Sequence, residues 1–400
     1  MARQTKEQIR QQEALAVFEE TLAALPDPRR KQGQRYPLES VVVIALMATV
    51  CGCDDGEAMQ QWGEVHQEWL SGFMPLPHGA PTQDVFLKVF AAIDPAAFSR
   101  VFVAWAKILI ARLDLKGTHI AVDGKTSRRS FGRDENGKKT TPLHTVSAWM
   151  SNAGLVMGQQ KTADKSNEIT AIPELLSLLD IRGATVTIDA MGCQTKVATA
   201  IIDGGANYLL AVKDNQPTLH EDIQVAFDEA LKKEPRPLDQ PALPIESYTT
   251  IDDGHGRIEE RTVHVCSDVS WMTTAKDWAG LSYIALVESK RTELRANNTS
   301  TERRYYIGSQ ADVSAETVGN TIRRHWGIEN RLHWVLDMAF REDDARHRAK
   351  NCAANFATLR HFAVNLLKLD KTKKLGVANK RKIAGWNRDY LLHVLSGSLA

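Results

Sequence analysis

The sequence is poor in cysteine. Its five, Cys51, Cys53, Cys193, Cys266 and Cys352, are too few and too scattered for a disulfide framework or a paired C-x-x-C zinc site. A reducing, cytoplasmic compartment is therefore expected. No apolar run approaches the roughly 20 residues needed to cross a bilayer. The longest, VVVIALMATVCGC from Val41 to Cys53, has 13 residues and predicts a buried core helix. The first residues, MARQTKEQIRQQEALAV, lack an uninterrupted apolar stretch, which argues against a secretory signal or an anchor. An excess of either charge is missing as well, because 50 Lys plus Arg stand against 49 Asp plus Glu, a formal net charge of +1. Such a total advertises neither nucleic acid nor a membrane surface, so any polyanion-binding surface must come from local clusters. There is no internal repeat. What is present, 43% hydrophobic and 25% charged residues, is globular composition and excludes a disordered, collagenous or coiled-coil chain.

Thr5 and Gln8 form a capping-box pattern, after which Ile9, Leu15, Phe18, Leu22 and Leu25 recur at helical spacing until Pro26 and Pro28. A basic loop, DPRRKQGQRYP, leads into the apolar helix, and periodic runs at Met59–Phe73, Asp84–Ile93 and Phe98–Leu113 follow. Residues 1–115 are thus expected to be all-helical. The texture then changes. THIAVD (Thr118–Asp123), Leu143–Met150, Gly154–Gly158, ATVTID (Ala184–Asp189) and NYLLAV (Asn207–Val212) are strand-like, with helical runs at Ile169–Leu179 and Thr195–Asp203. This alternation predicts an α/β fold over residues 116–234. Four prolines between Lys232 and Ser247 mark a boundary. Beyond it Tyr248–Ile251, Arg257–Cys266 and Leu281–Glu288 predict a β-rich insertion over residues 235–310. From Ser314, an N-cap with Glu316 in the first turn, one long helix is predicted to carry Ile322, Trp326, Glu329, Leu332, Leu336 and Phe340. Within residues 311–400, Lys368–Arg388 holds eight basic residues against Asp370 alone and predicts a solvated basic surface.

Two of the predicted strands end in an acid, Asp123 after HIAV and Asp189 after VTI. A carboxylate there projects at the sheet edge, where α/β folds place ligands. If the two strands are neighbours the carboxylates meet, and like charges that close need a proton or a cation between them. Hard oxygen donors select Mg²⁺ or Mn²⁺. Taken singly, each Asp serves equally well to end a strand or cap a turn. A third acid, Glu329, sits in HWGIENRLHW, where Arg323, Arg324, His325, Asn330, Arg331 and His333 crowd polar and cationic groups around Trp326 and Leu332. Two Asp and a Glu can hold two divalent ions roughly 3.5–4 Å apart, one activating an attacking hydroxyl and one stabilising the leaving oxygen of a phosphodiester.

Longer motifs surround these acids: VDGKTSRRS (Val122–Ser130), KSNEITAIPELL (Lys165–Leu176), TIDAMGCQ (Thr187–Gln194), KDNQP (Lys213–Pro217), GHGRIEER (Gly254–Arg261) and RRHWGIENRLHWVLDMAFREDDAR (Arg323–Arg346). In this order they resemble the H-repeat-associated group of bacterial insertion-sequence DDE transposases, and the similarity runs across nearly the whole chain. The resemblance implies a ribonuclease-H-like catalytic core with a β-rich insertion, preceded by an all-helical N-terminal domain associated with DNA binding. It implies Asp123, Asp189 and Glu329 as the catalytic, metal-binding triad, with two Mg²⁺ or Mn²⁺ ions. It also implies phosphodiester hydrolysis at the element ends followed by strand transfer. The implied partner is double-stranded DNA, both terminal inverted repeats and target, bound by a homodimer. Two alternatives stand beside this reading: a structure-specific nuclease on the same fold, and a domesticated, inactive DNA-binding remnant. One departure is visible. Many hairpin-forming relatives carry a Tyr, an Arg and a Lys at fixed spacing around the glutamate, and here those positions hold Ile322, His325 and Leu336.

Candidate DNA contacts follow locally. Lys125, Arg128 and Arg129 come directly after the first Asp, and Lys196 and Lys213 after the second strand region. With Arg323, Arg324, His325, Asn330 and His333 they offer sequence-independent affinity for phosphate. Trp326 stacks on an unpaired base or fills a core position. Gly132–Lys139 nearly matches a phosphate loop, but Lys139 replaces the required hydroxyl, and Asn136-Gly137 reads better as a hairpin turn. His255, Cys51 and Cys53 lack partner ligands at metal spacing.

Overall fold

The computed structural model describes residues 15–116, 118–132, 137–162, 168–232, 243–254, 256–294 and 298–396. The Thr5 and Gln8 capping box, Asn136 and His255 lie outside these residues. The chain forms two compact units, one of Met1–Lys116, Gly124–Asn167 and Glu329–Ala400, the other of Gly117–Asp123 and Glu168–Ile328.

The first unit begins with α1, helical over the described residues 15–22. Then come α2 (Leu38–Val50), α3 (Gly56–Val65), α4 (Gln67–Ser71), α5 (Gln83–Ala92) and α6 (Pro95–Arg112). In α2 every residue except Glu39 is buried, which explains why its sequence is apolar all round rather than along one stripe. Asp94 caps α6 by accepting from the amides of Ala96 and Ala97, with Pro95 at the first helical position. Strands β2 (Leu143–Met150) and β3 (Leu155–Thr162) form an antiparallel hairpin. The unit is completed by α11 (Trp334–Phe340), α12 (Cys352–Leu369), α13 (Val377–Trp386) and α14 (Arg388–Leu395).

Helix α12 is the centre of this unit. Its Phe362 packs against Phe18, Phe98, Phe102 and Trp105. Its buried amides take main-chain partners, as buried polar groups must. Asn355 donates to the carbonyls of Phe90 (2.7 Å) and Ile93 (3.0 Å), and Asn365 bonds both the amide and the carbonyl of Val156 at 2.8 Å. One expectation is corrected here. Lys380 and Arg381 are buried, not part of a solvated basic surface. Lys380 donates to the Leu367 carbonyl (3.0 Å) and pairs with Asp370, while Arg381 donates to the Thr49 carbonyl (2.8 and 3.1 Å) and pairs with Asp54. Both carbonyls lie in the last turn of a helix, where unpaired acceptors and the helix dipole favour a cation. Lys371, Lys373, Lys374, Lys382 and Arg388 remain exposed.

The second unit is built on a sheet. Strand β1 (His119–Ser127) starts in it, and β4 (Thr185–Ile188) and β5 (Asn207–Val212) follow in parallel. Helices α7 (Glu168–Ser177), α8 (Thr195–Asp203) and α9 (Pro217–Ala230) alternate with the strands. Beyond β5 the ladder turns antiparallel through β9 (Asn298–Gly308), β8 (Tyr283–Glu293), β7 (Arg257–Cys266) and β6 (Ile245–Gly254). Along the whole ladder the order is β3-β2-β1-β4-β5-β9-β8-β7-β6. Its first five strands, one antiparallel hairpin and three parallel strands, have the ribonuclease-H-like arrangement. Strand β9 has no counterpart in the sequence reading, because the outer half of NTSTERRYYIG is polar and exposed.

Ser314 caps α10 (Ala315–His325) as expected, accepting from the Thr317 amide at 3.2 Å. The predicted single long helix is nevertheless interrupted. Helix α10 ends at His325, and a π-helical turn, Glu329–His333, precedes α11. Gly327, a weak helix former, lies in the break. Among the described residues no helix is long and apolar enough to cross a membrane.

Candidate catalytic centre and nucleic-acid contacts

The parallel register of β1 and β4 pairs Ile120 with Val186, Ala121 with Thr187 and Val122 with Ile188. Pairing stops there, so Asp123 and Asp189 leave the ladder at the same level, on strands that neighbour each other at about 4.8 Å. The Asp189 carboxylate caps the short turn Ala190–Gly192, accepting from the amides of Met191 (3.1 Å) and Gly192 (3.3 Å). Only glycine fits at 192, because a Cβ would stand 2.3 Å from Ile188 and 3.0 Å from Ile172 of α7. Asp189 lies at the surface, yet the protein packed around its carboxylate pushes its pKa up. The amide of Gly192 opposes this, the charge of Glu168 adds to it, and the Met191 amide and Lys213 also oppose it. Glu168, buried in the first turn of α7 one helical turn before Ile172, is a carboxylate the sequence reading did not single out. Its position inside KSNEITAIPELL was the available signal.

A second polar group stands behind the aspartates. The Thr187 hydroxyl lies 2.9 Å from His119 Nε2 and 2.9 Å from His325 Nδ1, tying β1, β4 and the end of α10 together. Burial pushes His119 down to about 3, with the charges of His325 and Arg324 adding. His325 falls to about 4, burial outweighing its hydrogen bond with Thr187. Both rings are therefore neutral, and the hydroxyl accepts from one and donates to the other.

Burial likewise holds His347 and His361 near 3 in the first unit. A histidine whose folded pKa is depressed favours the folded state fully above its ordinary 6.5 and loses that contribution as pH falls toward the folded value. Stability is expected to fall below about pH 6.5 by roughly 1.4 kcal/mol per pH unit for each of His119, His347 and His361. Urea midpoints at pH 7 and pH 5 check this, and identical midpoints would contradict it.

The remaining candidates are placed as follows. Glu329 opens the π-helical turn of the first unit and is exposed, as are Asn330 and Arg331, while His333 is half-buried. Lys125 is buried, its ammonium 2.7 Å from Asp337, 3.3 Å from Asp343 and 3.7 Å from Glu342. Arg128 pairs with Asp343 (3.1 Å) and Arg129 with Asp344 (3.2 Å). In the second unit Lys213 is exposed, Arg323 pairs with Asp252, and Arg324 is exposed with no ion pair among the described residues. Trp326 is half-exposed, with the Arg304 guanidinium 5.2 Å from its ring centroid. Ile322 and Leu336 are buried apolar side chains, so these two positions serve packing.

Strand β1 runs on to Ser127, so Asp123 stands where the β1–β4 pairing stops and not at a strand end as expected; with Asp189 it offers hard oxygen donors, and crowding of the Asp189 charge by Glu168 is what a divalent cation relieves. The donor set therefore fits such an ion. Among the described residues no three His, Cys, Asp or Glu side chains already converge as a metal cage.

This sheet order defines a ribonuclease-H-like fold. Residues 114–366 match the family described as Transposase DDE domain, and residues 19–106 match the DDE_Tnp_1-associated family. The chain belongs to the DDE transposase family. The H repeat-associated putative transposase YhhI of Escherichia coli (strain K12) is 37% identical over 383 residues, 95% of this chain and 97% of that protein. A protein encoded in the dhlA 3′ region of Xanthobacter autotrophicus is 39% identical over 286 residues, 71% of this chain and 92% of its own length. Among solved structures, a piggyBac transposase synaptic complex with hairpin DNA overlays on 96% of this chain and 80% of that one, with a TM-score of 0.46 and 11% identity. The protein is a DDE-type insertion-sequence transposase, and its family generally works with divalent metal ions.

Proposed function

We propose that this transposase cuts the ends of its own element and joins them to target DNA, with Asp123, Asp189 and Glu329 as metal ligands. The observation that carries the reading is the shared exit of Asp123 and Asp189 from the β1–β4 ladder. Glu329 is supported by family membership and by its place in the chain. It follows four residues after His325, whose ring is bonded to Thr187, itself two residues before Asp189. Two Mg²⁺ or Mn²⁺ ions bound by these acids would activate the attacking oxygen and stabilise the leaving one.

The chain's own groups prepare that site. The Met191 and Gly192 amides fix the rotamer of Asp189, and Thr187 with its two neutral histidines holds the strand ends in register without adding charge. Glu168 adds a further carboxylate beside Asp189. Lys213, Arg324, Arg128, Arg129, Arg323, Asn330 and His333 are assigned to the DNA backbone and Trp326 to an unpaired base. Lys125, held by three acids, is assigned to ordering the strand beyond Asp123. Handling two element ends calls for two copies of the chain on DNA, acting on chromosomal DNA in the cytoplasm.

The test is incubation of the purified protein and Mg²⁺ with a duplex copied from the DNA flanking the coding region, plus a plasmid target. Cleavage followed by covalent joining is expected. Cutting without joining returns the nuclease alternative, and binding without cutting returns the inactive remnant.

A further inference from the structure

Helix α11 ends at Arg341 in a left-handed turn (φ 50°), and three consecutive acids follow, Glu342, Asp343 and Asp344. They meet the segment that continues from Asp123, and their surroundings are graded. Glu342 is buried, 3.7 Å from the Lys125 ammonium and 3.4 Å from Arg360, and forms a fixed floor. Asp343 stands nearer the surface. One of its oxygens lies 3.3 Å from Lys125 and accepts from the Arg128 amide at 3.2 Å, and the other lies 3.1 Å from the Arg128 guanidinium. Asp344 bridges two guanidiniums, those of Arg129 and Arg341, at 3.2 Å each.

The side chains of Arg128, Arg129 and Arg341 remain 82%, 53% and 75% exposed. An ion pair between such groups is worth at most about fivefold in an equilibrium constant, so it opens readily. The two aspartates therefore hold the arginines without locking them. A guanidinium takes a carboxylate or a phosphate through the same charge-assisted hydrogen bonds, and the two anions compete for it. A phosphate that reaches Arg128 and Arg129 must first displace Asp343 and Asp344, and it then lies beside two carboxylates that have lost their partners.

We propose that Asp343 and Asp344 form an autoinhibitory contact, an internal counter-anion that occupies the phosphate-binding groups of Arg128 and Arg129 until DNA displaces it. This inference rests on the assignment of those two arginines to the DNA backbone. Phosphate contacts carry no sequence information, so the contact weakens binding to every duplex by the same factor and shortens the time spent on chance DNA. It also flattens the salt dependence, because each arginine arrives with its charge already partly neutralised.

The experiment uses the full chain with Asp123→Asn, which is expected to bind without cutting. Fluorescence anisotropy over a salt series reads its affinity for the flanking-sequence duplex and for a scrambled duplex of equal length. Asp343→Asn with Asp344→Asn is expected to tighten binding to both by the same factor, about three- to thirtyfold. The salt dependence steepens by about one phosphate contact for each arginine released. An asparagine at 343 still accepts from the Arg128 amide, and Lys125 keeps Asp337 and Glu342. Asp344→Asn alone, outside the Lys125 cluster, is expected to give about half of the logarithmic gain and serves if the double variant fails to fold. Adding Arg128→Ala and Arg129→Ala abolishes the gain. Glu68→Gln with Asp84→Asn, exposed acids of the same unit that pair with none of these arginines, removes as much charge and leaves the affinity unchanged. A gain that survives loss of the arginines, or that this control matches, is an effect of net charge and overturns the autoinhibitory contact. Unchanged affinity in Asp344→Asn and in the double variant, with the wild-type protein cutting and joining, overturns it and leaves the transposase reading standing. Failure of the parent to bind, together with failure of the wild-type protein to cut, overturns both.

Discussion

Asp123→Asn and Asp189→Asn are each expected to slow end cleavage by on the order of a thousandfold or more while leaving the protein folded. Metal ions stabilise transition-state charge by several kcal/mol, and each roughly 1.4 kcal/mol is a factor of ten in rate. An amide oxygen keeps the size of the carboxylate but not its charge. At 189 it still accepts from the Met191 and Gly192 amides, so the turn survives. The metal-free stability should not fall with the activity. The raised pKa of Asp189 means that folding disfavours its charged form, so its contribution is present at low pH and lost as pH rises through the folded value. Asparagine removes that penalty, and the variant is expected to unfold at the same urea concentration as the parent or a higher one. Glu168→Gln leaves Asp123 and Asp189 intact and is expected to lose only about ten- to a hundredfold, as for groups that support a metal ligand. Full cleavage by Asp123→Asn would remove the site assignment.

Lys125→Met is expected to have the largest effect on stability, of about 3–5 kcal/mol, the range for breaking a buried ion pair by removing one partner. The ammonium is the shared partner of Asp337, Asp343 and Glu342. Glu342 is also buried and is otherwise met by Arg360 at 3.4 Å. Without Lys125, three acids face one another across a space that methionine fills but does not neutralise. Burial alone would pull Lys125 down, but Glu342, Asp337 and Asp343 outweigh it and its pKa is raised. The contribution is therefore fully present below the ordinary lysine value and lost only as pH rises through the raised one. Urea unfolding at pH 7 and pH 9, both below that value, is expected to show the same loss in the variant. A variant with the parent's midpoint at both would show that the cluster contributes nothing.

Lys125 also shows where sequence reading reaches its limit. Following Asp123 by two residues, it has the pattern of a phosphate contact, and nothing local announces that Asp337, Glu342 and Asp343 will meet it from more than 200 positions away. Strands β1, β4 and β5 were legible because buried parallel strands are continuous apolar runs, and the terminal acids of THIAVD and ATVTID stand out against them. The threonine of the His119–Thr187–His325 group was not, since a mid-strand Thr is ordinary in a β-strand and its partners come from another strand and a helix. Strand β9 was missed because its outer half carries no buried face. The burial of Lys380 and Arg381 was missed because the attraction comes from helix-end carbonyls, which composition does not reveal.

The order of synthesis has its own consequence. Helix α2, apolar on every side, is completed at Val50, yet Arg381, which bonds the Thr49 carbonyl, and α12, which fills the same unit, come about 300 residues later. At about 5–20 residues per second, the nascent chain carries this helix without its C-terminal neighbours for roughly 15–60 s. The ribosome thus releases a protein whose first core closes last. Because the first unit draws on both ends of the chain, truncation ahead of α12 is expected to leave α2 partly uncovered and to lower solubility, which the soluble fraction of the truncated protein would check.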